Sequence, residues 1–157
     1  MSPLRFSRAA DGFFVLESEL WLPRKLEEVF PFFADALNLE TITPPWLRFE
    51  VLTPRPIEMR VGLLIDYRLR LRGLPLRWQS EISAWEPPRR FVDEQRRGPY
   101  RAWIHEHRFE ERDGGTLAQD RVRYAVIGGW LVERFIVRRD LEKIFRFRQE
   151  KLREVFQ

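Results

Sequence analysis

The sequence contains no cysteine, and only two histidines stand among its 157 residues. The first absence removes disulfides and thiol chemistry, and confines any zinc site to imidazole and carboxylate donors. No apolar run approaches the ~20 residues that span a bilayer. The opening segment Met1-Ser2-Pro3-Leu4-Arg5-Phe6 lacks the apolar stretch of a secretory signal. These absences point to a cytoplasmic protein without integral membrane association. There is no nucleophile constellation and no Gly-rich phosphate loop; Gly114-Gly115 is more simply a hairpin turn. Lysine is scarce beside arginine, and 28 basic residues against 24 acidic ones give a net charge of +4. The two signs are interspersed, as in Glu106/Arg108/Glu110, and no recognition motif accompanies the arginines, so nucleic acid is not an expected partner. Nothing in the chain calls for a cofactor or sets an oligomeric state.

What is present fits one domain over residues 1–157, with 44% hydrophobic and 33% charged residues. A chain of this length buries roughly two thirds of the surface its unfolded form exposes. Both histidines lie in the stretch from Gly98 to Phe109, which alternates like a strand. Side chains on a strand alternate faces, so Trp103, His105, His107 and Phe109 share the inward face, and Ile104, Glu106, Arg108 and Glu110 the wet one.

In chain order, Phe13 to Leu22 reads as a first strand with Phe14, Leu16, Ser18, Leu20 and Leu22 on one face. Pro23 ends it and suits a helix start. Leu26, Val29, Phe30, Phe33 and Leu37 follow at helical spacing. Pro31 interrupts that pattern and predicts a kink or a break into two short helices. After Pro44-Pro45, Trp46 either plugs the end of the core or forms a lip over a cavity. Period-two alternation then runs for about 80 residues, an antiparallel signature. Its strands hold Phe49/Val51/Thr53, then Leu64 to Arg72 with Ile65, Tyr67, Leu69 and Leu71 in phase, then Leu76 to Glu86 with Trp78, Ser80, Ile82 and Ala84 inside.

Alternation alone leaves Phe91 to Arg97 ambiguous between two inner sets. A three-residue loop at Gly98-Pro99-Tyr100 sets Arg97 opposite Arg101, Gln95 opposite Trp103, Asp93 opposite His105 and Phe91 opposite His107. A four-residue loop over 112–115 sets His107 opposite Asp120 and His105 opposite Val122, with Tyr124 and Val126 in phase. After Gly128-Gly129 the period becomes helical, with Leu131, Phe135, Leu141, Ile144, Phe145, Leu152 and Val155 as the apolar stripe. A helix this long needs a partner, and the concave face of a curved antiparallel sheet supplies one.

This order of elements resembles the helix-grip fold of the START/SRPBCC superfamily, which includes birch-pollen-allergen-like proteins and polyketide cyclases. The resemblance covers almost the whole chain. It rests on Val29-Phe30, Asn38-Leu39, Ile42 to Trp46, Gly62 with Tyr67, Phe91 to Gln95, Gly98-Pro99-Tyr100 and Trp103 to Phe109. These together look like the bacterial ligand-binding members of uncharacterised role. The resemblance implies an α+β fold: a curved seven-stranded antiparallel sheet wrapped around a long C-terminal helix, with two short helices after the first strand. It also implies a cavity between sheet and helix for a small hydrophobic molecule, such as a lipid, isoprenoid or polyketide, without implying a reaction.

Polar groups on the inner face are costly unless hydrogen-bonded. Asp93, Gln95, His105, His107, Asp120 and Tyr124 therefore form either a strand-positioning network or a ligand-contact set, joined by Tyr67, Trp78 and Trp103 as walls. The part of the C-terminal helix nearest Gly128-Gly129 and Trp130 is the part expected to line the cavity or gate it. His-x-His with a third carboxylate is also a metal pattern, ranked below hydrogen bonding because no further donor exists. The expectation is a binding protein, with an enzyme of the cyclase, dehydratase or isomerase type as the alternative, using His105 or His107, oriented by Asp93, as general acid/base.

Overall fold

The period-two segments form one curved antiparallel sheet in a computed structural model that describes residues 2–157. The strands are β1 (Leu4–Arg8), β2 (Phe14–Leu22), β3 (Glu50–Val51), β4 (Leu64–Leu71), β5 (Leu74–Glu86), β6 (Arg90–Arg97), β7 (Ala102–Arg112) and β8 (Gly115–Ala125). Their spatial order is β1-β2-β8-β7-β6-β5-β4-β3. There are thus eight strands rather than the seven expected. The addition is β1, too short to show a pattern of its own. It covers the outer edge of β2 in the register Phe6↔Leu16 and packs Leu4 and Phe6 beside the core.

Helix α1 (Leu26–Ala34) starts after Pro23, with the Glu28 carboxylate accepting from the Lys25 backbone N–H at 3.2 Å. It runs through Pro31 without a break. Pro31 and Glu27 are both exposed, so water can satisfy the carbonyl that the missing N–H leaves free. The interruption falls at Asp35 instead. Its backbone is extended, and its carboxylate accepts from the Leu37 N–H at 3.0 Å to start the tight turn Ala36–Asn38 ahead of α2 (Leu39–Ile42).

Two turns set the register at the histidines. β7 and β8 are joined by Asp113-Gly114, both at positive φ (50° and 75°), with Arg112 paired to Gly115. The loop is two residues, not four, and such a turn matches strand twist. Because both loops are centred between Asp113 and Gly114, the pairing is unchanged: His105↔Val122 and His107↔Asp120. On the other side, Asp93 pairs with His105 and Phe91 with His107. Beyond Glu94↔Ile104, β6 follows β5 instead, and Arg97 pairs with Gln79 rather than Arg101.

The C-terminal helix runs as α3 (Gly129–Val132), a π turn (Glu133–Val137) and α4 (Arg138–Val155). Leu141, Phe145 and Leu152 are buried against the sheet, whereas Leu131, Phe135 and Val155 are exposed. A π turn adds a residue and rotates what precedes it out of phase, so the apolar residues before Arg138 leave the stripe. The face that packs on the sheet continues through Arg148, Gln149 and Phe156.

Candidate functional site

His105 and His107 stand two apart on β7 with their rings stacked, centroids 3.8 Å apart, and Phe91 of β6 stacks on His107 at 4.1 Å. His105 Nε2 lies 2.7 Å from Asp120 Oδ1, and His107 Nε2 lies 2.7 Å from Asp93 Oδ2. Each imidazole therefore bonds the carboxylate diagonal to it, not the one directly across the ladder. Diagonal partners two residues along a neighbouring strand are within reach of long side chains. From α4, Arg148 Nη2 donates to the same Asp120 oxygen at 3.2 Å, tying the helix to the sheet. Arg148 also lies over the rings of Phe33 and Phe145.

His105, His107 and Arg148 are buried, and Asp93 and Asp120 are half-buried beside them. Burial raises the Asp120 carboxyl, but Arg148 and the two histidines outweigh it and hold the group well below the usual carboxylate range. Burial likewise works against ionised Asp93, and the hydrogen bond from His107 turns the shift downward. His105 is lowered, chiefly by burial and by the neighbouring His107. His107 is raised: burial opposes its charge, but Asp120 and Asp93 together prevail. Two carboxylates and one guanidinium thus surround two stacked imidazoles whose proton affinities are driven apart, His107 upward and His105 downward. His107 Nδ1 sits 3.4 Å from Asp120 but makes no hydrogen bond, and Arg148 Nε is likewise buried without a partner.

Phe91, Asp93, His105, His107 and Arg148 form one wall of a cavity of about 190 Å³ between the sheet and α4. Of the residues singled out from the sequence, Tyr67, Trp78, Asp93, Trp103, His105 and His107 line it. Gln95, Asp120 and Tyr124 do not. Gln95 exchanges hydrogen bonds with the Tyr100 backbone, closing the β6–β7 loop. Asp120 lies outside the lining and holds the histidines and Arg148. Tyr124 is fully buried and donates to Glu133 Oε1 at 2.9 Å, which pushes its hydroxyl pKa up beyond the effect of burial. Trp46 is neither plug nor lip; it is exposed, edge-on to Phe147, and its neighbour Leu47 lines the cavity. From the helix, the wall is Leu141, Ile144, Phe145 and Arg148 rather than the Gly128-Gly129-Trp130 end.

No curated protein matches the sequence. Residues 22–153, however, match the family described as polyketide cyclase / dehydrase and lipid transport. The chain belongs to this family. Its fold is shared with solved structures at low identity. Protein Ms6760 from Mycobacterium smegmatis is 17% identical with a TM-score of 0.70, covering 98% of this chain and 97% of that one. A protein from Arthrobacter aurescens is 13% identical with a TM-score of 0.73, covering 97% and 90%. Major latex-like protein 151 from Panax ginseng is 11% identical with a TM-score of 0.67, covering 90% and 96%. The helix-grip architecture of the START/SRPBCC superfamily is therefore that of this polyketide cyclase / dehydrase family member. Among the described residues, no helix is long and apolar enough to cross a membrane.

In this family member, Asp93, His105 and His107 bring donor atoms within 4.8 Å of one another, a spacing that suits a metal ion. All three residues also take part in the hydrogen bonds of the cluster. Arg148, the cation that bonds Asp120 from the helix, was not singled out from the sequence. The signal was its phase: it falls on the buried face of α4, three residues after Phe145 and four before Leu152, where an unpaired charge would not stand.

Proposed function

We propose that the protein binds a small, mostly apolar molecule with a hydrogen-bonding head inside the cavity, and that Asp93, His105, His107 and Arg148 hold the head. The observation that carries this reading is the confinement of a buried ionic cluster to one wall, while Phe33, Ile65, Leu69, Ile82, Trp103 and Phe145 line the others. His105, His107 and Arg148 all line the cavity, so a carbonyl, hydroxyl or carboxylate on the ligand would find hydrogen-bond donors on that wall. The family description, which joins cyclases and dehydrases to lipid transport, supports an apolar ligand of this kind.

Native mass spectrometry of the purified protein, followed by solvent extraction, tests the reading. The expected result is a co-purifying apolar compound, or saturable uptake of 1-anilinonaphthalene-8-sulfonate that weakens in Arg148→Met. No compound and no dye uptake would sink it.

A second reading is favoured by one contact. His107 lines the cavity, lies 2.7 Å from Asp93 and has its proton affinity raised by Asp120 and Asp93 against the effect of burial, an arrangement that suits a general acid. An enzyme of the cyclase, dehydratase or isomerase type predicts that His107→Gln abolishes turnover of an enone or polyketide-like substrate while dye affinity survives. Equal turnover in the variant would remove this reading.

A further inference from the structure

The start of the C-terminal helix presents an apolar surface that neither the core nor the cavity uses. Ile127, Trp130, Leu131 and Phe135 are 67%, 57%, 53% and 52% exposed. Their outward direction is built in. Glu133, in the π turn among them, is 1% exposed and is held inward by the Tyr124 hydroxyl and by Arg138 at 3.1 and 3.2 Å.

The β4–β5 hairpin is tethered to the helix just beyond the patch: Arg72 at its tip grips Asp140 through two bonds of 3.1 and 2.9 Å, and Leu74, two residues on, is 70% exposed. Arg134 and Arg139 stand in the same stretch, and Arg101, whose backbone N–H donates to the Ala125 carbonyl at 2.9 Å, lies beside its start; all three are exposed. Among the described residues none of the three pairs with a carboxylate, although most other arginines of the sheet surface do, as in Arg68–Glu50, Arg90–Glu106 and Arg96–Glu81. An apolar, tryptophan-bearing centre with a rim of unneutralised arginine is complementary to one kind of surface: a bilayer interface containing anionic lipid.

The patch adjoins the cavity through the chain itself. Leu71, Tyr100 and Leu141 line the cavity, and Arg72, Arg101 and Asp140 are their immediate neighbours at the surface. We infer that this end of the molecule docks reversibly on anionic membranes, where the cavity exchanges its apolar ligand. The exchange rests on the ligand-binding reading above; the docking does not.

Flotation with vesicles of phosphatidylcholine containing one quarter phosphatidylglycerol, read together with Trp130 fluorescence in single-tryptophan background, tests the docking. The full chain is expected to float with these vesicles, with a blue-shifted Trp130 emission. Pure phosphatidylcholine, high salt and Arg134→Glu/Arg139→Glu are each expected to lower partitioning about tenfold or more. Trp130→Ala/Phe135→Ala, at exposed positions, is expected to abolish flotation and keep the same melting temperature. Equal partitioning of wild type and both variants, or no flotation at all, overturns the inference. So does a dimer that forms without lipid and dissociates in Trp130→Ala/Phe135→Ala, because the patch is then covered by a second copy. Dye uptake that persists while flotation fails refutes docking alone; loss of dye uptake with flotation intact refutes the cavity reading alone.

Discussion

His105 and His107 are adjacent on one strand face, yet their environments drive them in opposite directions, His105 downward and His107 upward. The consequence for stability follows from sign. A lowered imidazole contributes stability above its unfolded value of 6.5, and that contribution is lost as pH falls through the window between 6.5 and its folded value. A raised imidazole contributes fully below 6.5 and is lost as pH rises through its folded value. Urea midpoints measured across pH are therefore expected to peak near 6.5. His105→Gln should flatten the acid limb above the carboxylate range, and His107→Gln the alkaline limb. A wild-type profile flat from pH ~5 to ~8, the range in which histidine titrates, would contradict the assignment. The candidate site was legible in the sequence as far as alternation and hairpin pairing reach: alternation put both histidines on one face, and the loop at Gly98-Pro99-Tyr100 set Asp93 opposite His105, as in the structure. The diagonal bonding was not, because backbone register says which residues oppose and not how far an imidazole leans.

At the scale of elements, the C-terminal helix separates two kinds of apolar residue that look alike in sequence. Phe145 is buried between sheet and helix, whereas Phe135 is half exposed before the π turn ends. Phe145→Ala is expected to cost about 3–5 kcal/mol, and Phe135→Ala within about 0.5 kcal/mol of nothing, as for ordinary surface positions. Chemical denaturation of both variants checks this, and comparable losses would refute the division. The long helix and the strands from Leu64 onward were legible because their periods run for many residues. The π turn was not, since one inserted residue shifts phase without changing composition. Pro31 misled in the same way: the rule against proline inside a helix assumes a carbonyl that nothing else can satisfy, and at an exposed Glu27 that assumption lapses.

For the whole molecule, β1 is the element whose role is easiest to isolate. It covers one edge of β2, and Ser2 before it accepts from Arg146 and Arg153 of α4 at 2.7 and 3.0 Å. Deleting residues 2–8 bares the edge of β2 from Phe14 to Ser18 and is expected to lower the melting temperature and promote aggregation. A deletion that stays monomeric with an unchanged melting temperature would show that β1 is dispensable. The other edge of β2 carries a kinetic consequence. Its partner there is β8, so Phe14 must meet Tyr124 and Leu22 must meet Thr116. The first long strand to leave a ribosome thus waits for nearly the last one. Until Gly115–Ala125 has emerged, Phe14, Leu16, Leu20 and Leu22 have no sheet to complete. Folding during synthesis is therefore deferred to its closing moments, and the nascent chain, rather than the finished protein, is where a chaperone has most to protect.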